Sequence, residues 1–235
     1  MDKELTLVEH LEELRKRIII SLVAVIAVSV IAFPFTSRAL AILKYPSSGL
    51  ITKLAFFSPQ EAFLIHLKIS FFVGLLISMP IILYQLWVFV SPAIDERVRK
   101  SGMAFLISST GAFICGALFG YFILIPTAIK FLMSFSGDGL EPVISVTSYI
   151  SFVIGLILAS GLVFEMPVLS YLLSRIGIIS PRLLRGKWKY AVIVIFIISA
   201  IVTPTPDAFN MTILAIPMLL LYEVSIWVSK AAAGR

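Results

Sequence analysis

Apolar residues fall along this chain in long, nearly unbroken runs separated by short polar segments. From Ile18 to Phe35 only Ser21, Ser29 and Pro34 interrupt the first run. Barrel strands would be about 10 residues long and alternate in polarity. A helix that crosses a bilayer needs about 20 predominantly apolar residues. The pattern therefore predicts an all-α, polytopic membrane protein with six spans, at about 18–36, 63–89, 103–126, 150–173, 190–203 and 208–228.

The last two spans look unusual. Tyr190 to Val202 is 13 residues, about 20 Å of helix against a hydrocarbon layer of about 30 Å. Thr203-Pro-Thr-Pro-Asp207 then turns the chain at once, and Pro217 falls near the middle of the final span. Two short helices forming a spanning hairpin are expected, with a re-entrant pair buried in protein as the alternative.

Composition agrees with this layout. The 235 residues are 60% hydrophobic and 14% charged, against about 25% charged in soluble domains. Mean hydropathy is +1.06. No repeat or low-complexity stretch is visible, so residues 1–235 read as a single integral domain, with 1–17 as a cytoplasmic amphipathic N-terminal helix. The N-terminus shows no cleavable signal, since the first apolar run has no small-residue cleavage site and more spans follow.

Charge sets the expected orientation. Lys3, Arg15, Lys16, Arg17, Arg97, Arg99, Lys100, Arg175, Arg182, Arg185, Lys187, Lys189, Lys230 and Arg235 fall on one side of the six spans. Arg38, Lys44, Lys53 and Lys130 fall on the other, and Lys68 lies inside a span. The positive-inside rule then puts both termini in the cytoplasm. Trp87, Trp188 and Trp227 fall near cytoplasmic span ends, where interfacial tryptophans are expected. The net charge of +6 reports loop topology rather than nucleic-acid binding.

Several chemistries find no support. Cys115 is the only cysteine, and His10 and His66 are the only histidines, so neither a disulfide framework nor a metal site is expected. No nucleophile–base constellation or Gly-rich phosphate loop appears, so neither an enzyme (an intramembrane hydrolase included) nor a cofactor is expected. No span carries the repeated polar stripe of a channel.

A few polar residues need an explanation. Thr6-Leu-Val-Glu9 reads as a capping box. Leu7, Leu11, Leu14 and Ile18 follow on one helical face, and Glu12–Lys16 and Glu13–Arg17 are spaced as i,i+4 pairs. One reading is an interfacial helix whose charges pair with each other and with lipid headgroups. The other is that Glu9 and Glu13 present carboxylates to a basic ligand at the membrane surface. Glu96, with Arg97, Arg99 and Lys100, would alone be an ordinary solvated loop acid, and Trp87 and Phe89 before it would be interfacial residues.

Glu165 sits well inside the fourth span. A charge there costs at least about 2.5–3.5 kcal/mol, so it should face protein or a watery cavity, as packing glue or as a functional polar site. Pro167 frees the carbonyl of Val163, so a kink is expected. Lys68 is expected to snorkel outward. Gly116-Ala-Leu-Phe-Gly120 marks close helix packing. A proton-coupled small-solute transporter using Glu165 and His66 is the alternative function, although such proteins often carry internal repeats.

Taken together, the sequence resembles the TatC family, the polytopic subunit of the twin-arginine protein translocase. The resemblance is carried by His10-Leu-Glu-Glu-Leu-Arg-Lys-Arg17, by Pro80-Ile-Ile-Leu-Tyr-Gln-Leu-Trp-Val-Phe-Val-Ser-Pro92, by Ser151-Phe-Val with Phe164-Glu-Met-Pro167, and by Thr205-Pro-Asp207 with Leu214-Ala-Ile-Pro217. It implies six spans in a curved bundle in a bacterial or archaeal cytoplasmic membrane. It implies a receptor that binds signal peptides with paired arginines and nucleates a translocation site for folded proteins. Carried over, Glu9, Glu13, Arg17, Phe89 and Glu96 form the signal-peptide surface, and Glu165 is the polar point on the concave face. Thr205, Pro206 and Asp207 resemble the contact region for single-span TatB-like or TatA-like partner subunits, and self-association in a larger complex is expected. One departure stands out: the family usually has Gln four residues after the Asp, and here that residue is Met211.

Overall fold

The computed structural model describes residues 7–49, 51, 54–93, 102–135, 143–202 and 208–233. Helices account for almost all of them. The first, α1 (Leu7–Ala32), carries the charged segment and the first span as one unbroken rod. Glu9 in its first turn complements the positive end of the helix dipole. Thr6 of the expected capping box lies outside the described residues. A 3₁₀ turn at Phe33–Phe35, built around Pro34, passes the chain into α2 (Thr36–Lys44). The apolar stretch therefore runs past the expected end at residue 36.

The second span is α3 (Pro59–Val90), longer than 63–89 at its start because Ser58 and Pro59 open it. The third is α4 (Gly102–Phe119), a π turn at Gly120–Leu124, and α5 (Ile125–Met133). The π turn explains why the helix survives beyond residue 126. Pro126 has no N–H to donate, and the widened turn resets the ladder so that the proline falls in the first turn of α5.

The fourth span divides into α6 (Val146–Phe164) and α7 (Met166–Arg175), with the break at Glu165. The Glu165 N–H donates to the Leu162 carbonyl at 3.2 Å, a tightened turn. The kink expected from Pro167 is therefore present, and Glu165 is the residue at the bend.

A short helix, α8 (Pro181–Gly186), capped by the Ser180 hydroxyl, leads into α9 (Trp188–Val202) and then α10 (Ala208–Ala233). The fifth span is short, as expected: 15 residues, or about 22 Å. The sixth is not. At 26 residues it covers about 39 Å, continues through Pro217 and extends past residue 228 on an alanine-rich end. One lost ladder bond does not stop a helix whose far half is packed: Tyr222, Ile226 and Ala232 are all buried. The hairpin is one short and one full-length helix.

Three pairings organise the bundle: α1 lies along α3, α4 along α6, and α7 along α10. Close approach is made possible by small residues. A Cβ on Gly74 would collide with Ser29 Oγ and lie 2.9 Å from the Val25 carbonyl. A Cβ on Gly116 would strike the Ser160 carbonyl and sit 2.8 Å from Phe164 Cβ. The Gly116–Gly120 pattern is thus a packing seam between α4 and α6. Outward-facing residues such as Val30 and Ile31, each 68% exposed, have lipid as their solvent rather than water.

The loops at the far end are tied down. A two-residue parallel pairing joins β1 (Leu54–Ala55) to β2 (Ile144–Ser145). Tyr149 donates to the Leu43 carbonyl at 2.8 Å and Tyr121 to the Ile42 carbonyl at 2.7 Å. These pins hold α2 against the π turn and α6.

Candidate functional site

The charged N-terminal segment meets the C-terminal end of α3. The Glu13–Arg17 pair closes, with Arg17 Nη2 3.0 Å from Glu13 Oε1. The other arm of the guanidinium, Nη1, donates to Gln85 Oε1 at 3.2 Å. Gln85 is buried, whereas Glu13 and Arg17 stay about one-fifth exposed at 21% and 24%. Arg17 thus uses its fork to tie a surface carboxylate to the second span, which a lysine could not do with one geometry. Glu12 and Lys16 remain exposed.

One turn further out, the His10 ring stacks on Phe89 with centroids 4.5 Å apart and planes 21° apart. Phe89 is half-buried and Glu9 exposed. Glu9, Glu13, Arg17 and Phe89 therefore share one face of the molecule. Glu96 lies outside the described residues, as do Thr205, Pro206 and Asp207; Met211 sits in α10 just after them.

Trp87 is not an interfacial residue. It is buried at 6% and stacks on Phe105 at 4.6 Å, with Leu172 of α7 completing the cluster. Gly102 makes the space, since a Cβ there would strike the indole nitrogen at 2.5 Å. Trp188 and Trp227 are exposed.

Glu165 is buried at 4%. It accepts a 2.5 Å hydrogen bond from the Ser109 hydroxyl of α4. Its second oxygen, Oε1, is buried and has no hydrogen-bond partner among the described residues. A cleft of about 380 Å³ is lined by Trp87, Ser108, Pro167 and Tyr171 among others. The carboxyl is therefore half satisfied, a costly arrangement for a residue that served only as packing glue.

His66 and Lys68 belong elsewhere. His66 Nδ1 is 2.7 Å from Thr36 Oγ1, at the junction of α1 and α2. Lys68 does not simply snorkel: its Nζ donates to Ser151 Oγ of α6 at 2.7 Å. Glu165 and His66 thus sit in separate networks with different partners.

Gln85, His10 and Ser109 were not singled out from the sequence. Gln85 carried a usable signal, being an amide inside a predicted span. Ser109 carried none, because a lone serine in a span commonly bonds its own helix.

These features define a multi-pass helical membrane protein with a charged cluster on the α1–α3 face and a buried carboxyl between its spans. Within that class the chain belongs to the TatC family: the family model described as Sec-independent protein translocase protein (TatC) matches residues 9–217. The Sec-independent protein translocase protein TatC of Carboxydothermus hydrogenoformans is 42% identical over 229 residues, covering 97% of this chain and 94% of that protein. That of Aquifex aeolicus is 43% identical over 237 residues, covering 97% and 96%. A crystal structure of the twin-arginine translocase receptor TatC superposes with a TM-score of 0.85 at 42% identity, covering 95% of this chain and 99% of the other. The small-solute transporter alternative finds no support in these relatives.

Proposed function

We propose that the chain is the receptor core of a twin-arginine translocation system. It binds paired-arginine signal peptides at the face shared by the start of α1 and the end of α3, and it nucleates a complex that moves folded proteins across the membrane. The observation that carries this reading is the Arg17 fork, which holds Glu13 at the surface while anchoring α1 to buried Gln85. A carboxylate fixed in that way can receive a guanidinium through two parallel hydrogen bonds, and that geometry discriminates Arg from Lys. Glu9 and Glu96 add charge, and Phe89 with His10 supplies an apolar edge. Glu165 is the polar point that a peptide inserting between the spans would meet.

The distribution of Lys and Arg supports cytoplasmic termini, and membership of the TatC family supports a place in a bacterial or archaeal cytoplasmic (inner) membrane. The short α9 is suited to contact with single-span TatB-like and TatA-like subunits, and by family resemblance Thr205, Pro206 and Asp207 are the residues assigned to that contact. Residues 1–235 act as a single integral domain. The role is binding and assembly, with no cofactor and no catalysis.

Photocrosslinking from positions 13 and 96 to an Arg-Arg signal peptide and its Lys-Lys counterpart tests the reading. Crosslinks to the Arg-Arg peptide should exceed the others about tenfold, the effect of one lost charge-assisted pair. Equal crosslinking of the two would overturn it.

A further inference from the structure

We propose that the cleft between α8 and the end of α10 binds the phosphate-bearing headgroup of an anionic phospholipid. The cleft measures about 1190 Å³, and Arg182, Arg185, Trp227 and Lys230 are prominent in its lining, which contains no acid. It lies on elements that take no part in the α1–α3 surface described above.

The three cations have different duties. Arg185 Nη1 reaches both carboxylate oxygens of Glu223 at 3.2 Å. Tyr222 donates to the Leu184 carbonyl at 2.7 Å. These two contacts clamp α8 onto α10 and use up the charge of Arg185. Arg182 and Lys230 are exposed, and neither pairs with an acid among the described residues. A fork and a point charge thus face one cavity, a suitable pair for a phosphodiester.

The apolar surroundings choose a lipid over a free anion. Leu220, Val224 and Trp227 follow at helical spacing on α10 and are 64%, 47% and 72% exposed. Unpacked on protein, they form a stripe for acyl chains that leads directly to the cleft. Trp227 stands where the stripe meets the cations, the depth at which interfacial tryptophans sit. Basic pockets beside transmembrane helices bind lipid headgroups in this way.

The test uses the full chain in neutral detergent, with phosphatidylglycerol and phosphatidylcholine of identical acyl chains as probes and native mass spectrometry as the readout. Phosphatidylglycerol should be retained in preference. The double variant Arg182→Gln/Lys230→Gln should bind it about 30-fold more weakly, the effect of two surface charges. Trp227→Ala should weaken both lipids while leaving the preference intact. Equal retention of the two lipids by the wild-type chain would overturn the proposal, as would undiminished phosphatidylglycerol binding by the double variant. Complete displacement by millimolar inorganic phosphate would overturn the lipid assignment by showing a free-anion site.

Discussion

Glu13 and Glu165 are both carboxylates held by a neighbour, but the structure treats them oppositely. Glu13 is partly exposed and has a formal cation, Arg17, at 3.0 Å. Glu165 is buried and has only the Ser109 hydroxyl, with Oε1 unpartnered among the described residues. Near water, a carboxylate needs a positioning group more than a counter-charge, and Arg17 positions Glu13 by also gripping Gln85. Between spans, a carboxylate with one oxygen spare is a group waiting for a donor. In the proposed receptor the first would discriminate between ligands and the second would be completed by what enters.

The largest effect that would break this contrast comes from Glu165. Glu165→Ala should cut transport of an Arg-Arg substrate into inverted vesicles at least about tenfold. Glu165→Gln, which keeps a polar group for Ser109, should stay within about threefold of wild type. Normal transport by the Ala variant would remove the intramembrane site. Next comes Arg17→Lys, which keeps the charge but loses the fork. Peptide affinity, measured by fluorescence anisotropy, should fall about fivefold to tenfold, and thermal stability should fall as well, because buried Gln85 loses its bonded partner.

Ser109→Ala should cost about 1–3 kcal/mol of stability in a denaturant titration, because a buried carboxyl loses its bonded partner. The smallest effect is expected from Ser151→Ala. It releases Lys68, whose bond to Ser151 is exposed, and should alter stability by less than about 1 kcal/mol. A large loss there would show that the end of the bundle opposite the α1–α3 face depends on polar contacts as well.

Much of the fold was legible because a bilayer imposes length and hydropathy on each span separately. The short fifth span, the bend at Pro167 and the Gly116–Gly120 seam each follow from a few neighbouring residues. The full length of α10 did not: Pro217 and the hairpin turn argue for a short helix, and packing against α7 and α8 prolongs it. The reach of the third span past Pro126 depended on a π turn, which has no local signature. Trp87 was misread because a tryptophan near a span end looks interfacial until a glycine on another helix makes room for it. In the site, Glu13–Arg17 was readable from i,i+4 spacing alone. Gln85, His10 and Ser109 needed helices 56 to 79 residues apart in sequence to be brought together.

The order of elements, their membrane character and the residues too polar for their surroundings were set locally, by solvation costs that each segment meets on its own. Which polar residues find one another was decided by helix pairing. α1 lies along α3 because Gly74 admits Ser29, and that contact delivers Gln85 to Arg17. α4 lies along α6 because Gly116 admits Ser160, and that seam delivers Ser109 to Glu165. Hydropathy carries no information about such pairings, since every apolar face is equally content with lipid; shape does, and shape exists only once the helices have packed.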